Sequence, residues 1–370
     1  MLRKMMGQTP SSRINEQSKR FNLLFLFSVF TTFGAISLLN YLVNPYGDYA
    51  TKYFRPLVQT PRNDKVFLLS QLEKKPEAVI IGSSRVMRME PEYLKSMFGY
   101  DFFNFGVNSA MPEDYLAVLR YYEKCCGTPP KMVVLGIDIY SFTDALPVDS
   151  RLVNCPELYG TMTELQGNTN QQWKTIFSRN RKLFKENFKY YLLKDSVRSL
   201  KMELWDRNKD KGDNDFLANG MMVDRLTKKE DADSVFDLAK GIEVQKTDYL
   251  RRYSGFDSLS GRRCEYFETF MKRCKDNNIK LIVFLTPLHP ELIQELAQKT
   301  TFTQRRQDVI SYLTIQCTKN DVRFFDCSDI ESFQGIADEF HDGVHATVVN
   351  NRLIIDCMVP RIAEKTQNAF

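Results

Sequence analysis

The sequence is poor in histidine and lacks any Cys-x-x-Cys pair. Its 370 residues include 3 histidines and 8 cysteines, and neither set has the spacing of a zinc site. The net charge is only +5, and no concentrated basic stretch alternates with aromatic residues. These absences disfavour a structural zinc site and nucleic-acid binding. Whether any cysteines pair stays open, because spacing does not determine disulfide connectivity.

Charge is also absent from residues 21–43, most of which are apolar. A helix of this length, which rises about 1.5 Å per residue, can cross the roughly 30 Å hydrocarbon core of a membrane. Residues 1–20 are mainly basic in charge, so the positive-inside tendency predicts a cytoplasmic tail and an exported main domain. A cleaved signal peptide fits less well, because the run is longer than a signal core and lacks a small-x-small cleavage site. We therefore predict an uncleaved single-pass anchor, followed by a connector over residues 44–74.

Short apolar runs alternate with helical patterns on both sides of a long polar middle segment. Five runs have the length and composition of strands, and they begin at Ala78, Asp101, Met132, Lys280 and Val322. Patterns between these runs predict helices, several of them from a proline at the first position or an i, i+3, i+4 apolar rhythm. This alternation predicts an α/β fold over residues 75–370, with a five-stranded parallel sheet between two layers of helices.

Residues 144–260 interrupt the alternation. They contain no clear strand, and polar or charged residues dominate. We interpret them as a helical insertion lying over the open end of the sheet, with residues 209–215 as a solvated loop. Residues 182–198 combine basic and aromatic side chains that could contact an anionic glycan or a lipid surface. A plain solvated helix face is the favoured interpretation of that stretch.

The first predicted strand ends in Gly82-Ser83-Ser84-Arg85. Glycine permits a sharp turn, and the serine after it can begin a helix, where backbone N–H groups and the helix dipole favour a developing negative charge. Ligands bind at the carboxyl ends of parallel strands, so Ser84 is a candidate nucleophile. Ser83 is the alternative. Strand–Gly–Ser turns are common, and the stretch by itself is a weak indication.

A second candidate element, Asp342-Gly343-Val344-His345, precedes the last predicted helix. Its carboxylate and imidazole stand three residues apart on a glycine-containing turn, so one loop can direct both to the same place. An imidazole takes the proton of an attacking serine, and a carboxylate on its other nitrogen fixes the tautomer. Loops after parallel strands gather at one edge of a sheet, so this loop can meet Ser84. The alternative is a capping motif for the last helix.

Four short blocks in this order resemble the SGNH (GDSL-like) hydrolase superfamily. They are Gly82-Ser83-Ser84, Asn104-Phe105-Gly106, Gly136-Ile137-Asp138 and the Asp342–His345 loop. The resemblance covers roughly residues 75–142 and 262–362 and leaves the middle segment unexplained. Together with the N-terminal anchor, it is most similar to the membrane-bound branch that includes the D-alanine transfer protein of teichoic acid synthesis and the acetyltransferases of exopolysaccharide modification. It implies a flavodoxin-like three-layer α/β/α sandwich.

Carried over by position, the resemblance implies that Ser84 is the nucleophile, His345 the general base and Asp342 its orienting carboxylate. The backbone N–H groups of Ser84 and Gly106 would form the oxyanion hole.

Two positions depart from the family pattern. Ser83 stands where the family usually has aspartate, and Asp138 stands where it usually has an asparagine that donates to the oxyanion. A carboxylate cannot donate unless it is protonated. Either Asp138 turns away, for example to hold Arg85, or another donor such as Asn108 replaces it.

Three further residues are expected near the substrate, namely Arg85, Asp138 and His289. Arg85 could bind an anionic group or pair with a local acid, and His289 fits a structural role better. A triad and an oxyanion hole need no metal or organic cofactor.

We therefore predict acyl transfer through an acyl-Ser84 intermediate to a hydroxyl of a cell-envelope or exported polysaccharide, or to water. The family resemblance implies a polytopic membrane O-acyltransferase as partner. The alternative is a non-catalytic, membrane-tethered binding or scaffold protein.

Overall fold

The structure is a computed structural model of the full chain. It describes residues 10–46, 53–54, 61–165, 181, 185, 187–205, 216–223 and 238–367. The predicted loop at 209–215 lies outside the described residues, as do parts of the predicted tail, connector and basic stretch. The chain divides into two compact units, Met1–Thr60 with Thr169–Lys211 and Pro61–Asn168 with Gly212–Phe370. We call them the anchor unit and the sheet unit.

Helices and strands are numbered in chain order within the described residues. The helices are α1 (Pro10–Val43), α2 (Pro61–Gln71), α3 (Pro91–Phe98), α4 (Pro112–Cys126), α5 (Ser150–Val153), α6 (Pro156–Leu165), α7 (Tyr190–Trp205), α8 (Leu238–Tyr253), α9 (Gly261–Asp276), α10 (Pro290–Lys299), α11 (Phe302–Lys319) and α12 (Val348–Gln367). The strands are β1 (Ala78–Gly82), β2 (Phe102–Gly106), β3 (Met132–Ile137), β4 (Lys280–Leu285) and β5 (Arg323–Asp326).

The anchor unit contains α1 and α7. Within α1, residues Ser18–Val43 form one helical stretch that is long and apolar enough to cross a membrane. This agrees with the predicted single-pass anchor, whereas its orientation stays a prediction. From residue 18 to residue 35 the side chains of α1 are mostly exposed, and Asn40 is buried.

The sheet unit confirms the predicted α/β fold. All five strands are parallel, in the order β2-β1-β3-β4-β5, which is the flavodoxin-like order. Alternate residues of β1 enter different cores, because successive side chains of a strand point to opposite faces. Val79 and Ile81 pack with α4, α9 and α11 on one face. Ala78 and Ile80 pack with α3 and α12 on the other. The result is the predicted three-layer sandwich.

Three glycines lie side by side at the carboxyl edge of the sheet. Gly82 pairs in register with Gly106 on one side and with Gly136 on the other. A Cβ added at Gly106 would lie 2.9 Å from Val86 Cγ2, and one at Gly136 would collide with Val86 Cγ1. The chain after β1 therefore folds back over the strand ends, and Val86 occupies the space that side chains at these positions would need.

The main difference from the predicted elements is α10, which the sequence reasoning did not identify. It begins at Pro290, with Glu291 in its first turn, so the usual signals of a helix start were present. Several helices are also longer than predicted. For example, α4 continues to Cys126 and ends at Gly127, whose φ of 74° is left-handed and suits glycine.

Within residues 144–260, the described residues form α5, α6, α7 and α8. Their strand pairing is limited to an isolated bridge between Phe216 and Met222 and one from Leu259 to Thr143. The helices match the predicted character of this segment, while its status as one inserted unit stays a prediction.

Candidate active site

Ser84 begins a short turn at the carboxyl end of β1. The turn is a 3₁₀ helix of 3 residues, Ser84–Val86, in place of the α-helix start that the sequence suggested, so little helix dipole is available there. Ser83 is buried and its Oγ accepts a hydrogen bond from the Arg85 N–H at 3.2 Å. Ser84 is partly exposed. Of the two candidate serines, only Ser84 is accessible to solvent.

The structure brings Ser84, His345 and Asp342 together in a chain of hydrogen bonds. Ser84 Oγ lies 2.8 Å from His345 Nε2, and His345 Nδ1 lies 2.8 Å from Asp342 Oδ2. An ionised carboxylate can only accept, so the proton is on Nδ1 and Nε2 accepts from the Ser84 hydroxyl. This is the arrangement in which an imidazole can take the proton of an attacking serine.

The loop that carries Asp342 and His345 is held by its own backbone. Asp342 Oδ1 accepts the N–H groups of Val344 and His345, both at 2.8 Å. The backbone N–H of His341 donates to the carbonyl of His345 at 2.8 Å. Burial acts to raise the pKa of Asp342, but the hydrogen bond and charge of His345 and the backbone donors outweigh it and hold this pKa well below its ordinary value. The carboxylate is therefore ionised at neutral pH.

Gln245 is a contact of Asp342 that the sequence reasoning missed. It lies on α8, and its Nε2 donates to Asp342 Oδ2 at 2.8 Å, the same oxygen that accepts from His345. One turn earlier, a Cβ at Gly241 would lie 3.1 Å from the Cβ of Asp342, so the helix passes close to the loop. Nothing in the local sequence of α8 marks Gln245, because its partner is 97 residues away.

The three predicted oxyanion donors differ in availability. Gly106 donates its N–H to Asn104 Oδ1 at 2.9 Å, so this bond would have to open before Gly106 could serve. Among the described residues, neither the Ser84 N–H nor the Asn108 amide has a hydrogen-bond partner, and both residues are partly exposed. The backbone N–H of Ser84 and the side chain of Asn108 therefore stay candidate oxyanion donors.

Arg85 and Asp138 face each other in the interior. Arg85 is 4 % exposed and Asp138 is 0 % exposed, and Arg85 Nε lies 3.5 Å from Asp138 Oδ1. Arg85 also donates to Thr286 Oγ1 at 2.9 Å and to the Tyr249 hydroxyl at 2.6 Å, and Thr286 donates to Asp138 Oδ1 at 2.6 Å. Their expected contact with substrate does not fit this burial. Of the two options for Asp138, the structure has the one in which it holds Arg85.

This network also fixes the charge of Arg85. Burial by itself would lower the pKa of the guanidinium, but the carboxylate of Asp138 and the nearby tyrosines Tyr249 and Tyr140 raise it above its ordinary value. A permanently charged group in the interior needs such a counter-charge, because an unpaired buried ion is costly.

His289, the third residue expected near the substrate, acts as a cap. Its Nδ1 accepts from the Glu291 N–H at 3.2 Å at the start of α10, and its own N–H donates to the carbonyl of Gly343 at 3.0 Å. Burial lowers its pKa, which favours the neutral imidazole. His289 therefore contacts the backbone of the Asp342–His345 loop, which agrees with the structural role favoured for it from the sequence.

The eight cysteines all lie in described residues, and none forms a disulfide. Within the described ranges, no group of three or more His, Cys, Asp or Glu side chains is arranged to hold a metal ion.

Comparison with known proteins places most of the chain in one family. The model of the family described as "Protein of unknown function (DUF1574)" matches residues 23–361. No curated protein sequence matches the chain. The crystal structure of a "putative acylhydrolase" from Bacteroides fragilis NCTC 9343 is similar, with a TM-score of 0.38 and 12 % identity over 82 % of this chain and 94 % of that one.

Proposed function

This chain belongs to the DUF1574 family of proteins of unknown function, and we propose that it is a membrane-anchored serine esterase or acyltransferase. The proposed chemistry passes through an acyl-Ser84 intermediate. The observation that carries the proposal is the pair of 2.8 Å contacts from Ser84 Oγ to His345 Nε2 and from His345 Nδ1 to Asp342 Oδ2. The four blocks that resemble SGNH hydrolases support the same assignment.

In the first half of the proposed reaction, Ser84 Oγ attacks the carbonyl carbon of an ester or other acyl donor. His345 Nε2 takes the hydroxyl proton, and Asp342 stabilises the imidazolium that forms. The carbonyl oxygen becomes an oxyanion that accepts from the Ser84 N–H and the Asn108 amide, and one such donor is worth roughly 3 kcal/mol. His345 then gives its proton to the leaving alcohol, the carbon–oxygen bond to it breaks, and acyl-Ser84 remains.

In the second half, an acceptor hydroxyl replaces the leaving alcohol. His345 removes its proton as it attacks the acyl carbon, and the same proton returns to Ser84 Oγ when the acyl group leaves. Water as acceptor gives an esterase, and a sugar hydroxyl gives a transferase. The resemblance to anchored polysaccharide acetyltransferases supports a cell-envelope or exported polysaccharide as acceptor and a polytopic membrane O-acyltransferase as the partner that supplies the acyl group.

A non-catalytic scaffold is the second candidate. It is favoured by the hydrogen bond between the Gly106 N–H and Asn104 Oδ1 and by the burial of Asp138 where the SGNH pattern has a donor. A protein of this kind would keep the fold but stabilise an oxyanion poorly.

A fluorophosphonate probe separates the two candidates, because it reacts covalently with an activated serine. We expect the full-length protein in detergent to be labelled, and Ser84→Ala and His345→Ala to lose the label completely. Ser83→Ala is the matched control: it removes the neighbouring hydroxyl, costs about 1 kcal/mol as a lost cap, and keeps the label. A wild-type protein that folds but takes no label would favour the scaffold.

A further inference from the structure

One face of α7 carries an exposed apolar stripe. Tyr190 is 80 % exposed and Leu204 is 57 % exposed, and Val197 between them is also exposed. These residues recur at i, i+7 and i+14, and the partly exposed Leu193 and Leu200 fall at i+3 and i+10. Residues with this spacing share one face of a helix. A solvated helix has no need for such a continuous apolar face.

Basic side chains border the stripe. Lys194, Arg198 and Lys201 are all exposed, and at 100° per residue they fall on the helix face next to Tyr190 and Val197. An apolar stripe beside Lys and Arg is the pattern of a helix that lies in the interface of an anionic membrane.

The buried face of α7 that adjoins the stripe, together with Asn187 just before the helix, is joined to α1 by polar contacts. Ser196 Oγ donates to Asn40 Oδ1 at 2.7 Å, and Asn40 Nδ2 donates to the carbonyl of Asn187 at 2.8 Å. Asn187 Nδ2 in turn donates to Ser37 Oγ at 2.8 Å. These bonds explain why α1 can carry polar residues here, since each is satisfied by the segment that leads into α7 or by α7 itself.

The positions of these contacts along α1 set the depth of α7. Ser37 and Asn40 precede Val43, the end of the apolar span, by six and three residues, which is about 9 and 4.5 Å along a helix. The first turns of α7 therefore lie where the span leaves the hydrocarbon. Phe188, two residues before α7, packs edge-to-face on Phe33, with ring centroids 5.7 Å apart, and both rings are exposed.

We propose that α7 is an interfacial helix: its stripe of Tyr190, Leu193, Val197, Leu200 and Leu204 enters the lipid leaflet at the Val43 end of the anchor, and Lys194, Arg198 and Lys201 bind the head groups of anionic phospholipids. Lipid is the occupant because the stripe continues the exposed surface of a helix that is itself suited to lipid. Tyrosine, as at position 190, is typical of the membrane–water interface. The proposal replaces the solvated-face interpretation of this stretch and does not depend on the chemistry of Ser84.

Tryptophan fluorescence of the full-length protein in vesicles tests the proposal. In a background with Trp173→Phe and Trp205→Phe, single tryptophans are introduced by Tyr190→Trp or Val197→Trp. The matched control is Ile315→Trp, on an exposed position of α11. In phosphatidylglycerol vesicles with brominated acyl chains, we expect the α7 tryptophans to lose emission and shift to the blue, and the control to be quenched only by aqueous iodide.

The basic border gives a second readout. In the triple variant Lys194→Glu, Arg198→Glu and Lys201→Glu, quenching by brominated phosphatidylglycerol should fall to the level seen in phosphatidylcholine, whereas the parent should prefer phosphatidylglycerol. Iodide quenching of the α7 tryptophans without bromolipid quenching would overturn the proposal, because the face would then be solvated. Shielding from both quenchers would also overturn it, because a second copy or a partner helix would then cover the stripe.

Discussion

The candidate site contains two aspartates, Asp342 and Asp138, and their surroundings differ. Asp342 is partly exposed, with its side chain 16 % accessible, and it accepts from His345, from two backbone N–H groups and from Gln245. Asp138 is fully buried, and one of its oxygens accepts from Thr286 and lies beside Arg85. The same side chain orients an imidazole in one loop and neutralises an interior cation in the other.

The difference comes from what surrounds each carboxylate. A loop with several free N–H groups and an imidazole satisfies Asp342 by hydrogen bonds, which leaves its ring partner free to reach outward to Ser84. After β3, the described residues offer Asp138 a hydroxyl and a guanidinium but no backbone donor. Helix α8 touches both environments, since Gln245 reaches Asp342 and Tyr249, one turn later, reaches Arg85. Substitutions at four positions probe this division of roles.

The largest effect is expected from Asp342→Asn. An amide in place of the carboxylate no longer holds the proton on His345 Nδ1, so the imidazole cannot act as base at Nε2. The rate constant of fluorophosphonate labelling should fall by about 10⁴, while the unfolding transition of the variant shows that it is still folded. A labelling rate close to that of the wild type would remove Asp342 from the proposed triad.

Asp138→Ala should instead act on stability. It leaves Arg85 buried without a counter-charge, and breaking a buried pair in this way costs about 3–5 kcal/mol, measured by urea unfolding of the protein in detergent. Asp138→Asn is the control that keeps the shape of the side chain. Because the side chain faces Arg85, we expect the asparagine variant to be labelled no faster than the wild type. Several-fold faster labelling would mean that the charge of Asp138 faces the oxyanion.

Tyr249→Phe removes the hydroxyl that accepts from Arg85 Nη2 at 2.6 Å. A hydrogen bond to a charged group is worth about 1.5–3 kcal/mol, so the free energy of unfolding should fall by about that amount. Labelling per folded molecule should be unchanged, because Tyr249 lies on the Asp138 side. A slower label at equal folded fraction would show that the two environments are coupled through α8.

Gln245→Ala should have the smallest effect. Asp342 keeps its three donors from the loop, so the carboxylate stays in place and only one bond to Oδ2 is lost. We expect labelling to slow by roughly fivefold, equivalent to about 1 kcal/mol, with little change in the unfolding midpoint. Gln245→Glu, which replaces a donor by a second negative charge, should slow labelling further. If both variants are labelled at the wild-type rate, Gln245 does not act on the proposed triad.

The sequence alone determined the strands and the order of the polar turns that follow them. Apolar runs that end in glycine specify buried parallel strands locally, and the Asp342-x-x-His345 spacing lies within one loop. It also determined the candidate membrane span, Ser18–Val43, because a long uncharged apolar run depends on nothing outside itself. Two other points depended on which side chains are buried. One is whether Asp138 turns away to hold Arg85, and the other is the choice between Ser83 and Ser84.

Only the tertiary structure decided the contacts made from a distance. Gln245 and Tyr249 lie in a segment with no strand pattern, and their partners are 97 and 164 residues away in the chain. The contacts of Asn40 with Asn187 and with Ser196 of α7 span 147 and 156 residues. Local periodicity shows which face of a helix is apolar, but it does not show which part of that face another element covers. That is why the exposed stripe on α7 and the contact of α8 with Asp342 could be found only in the folded chain.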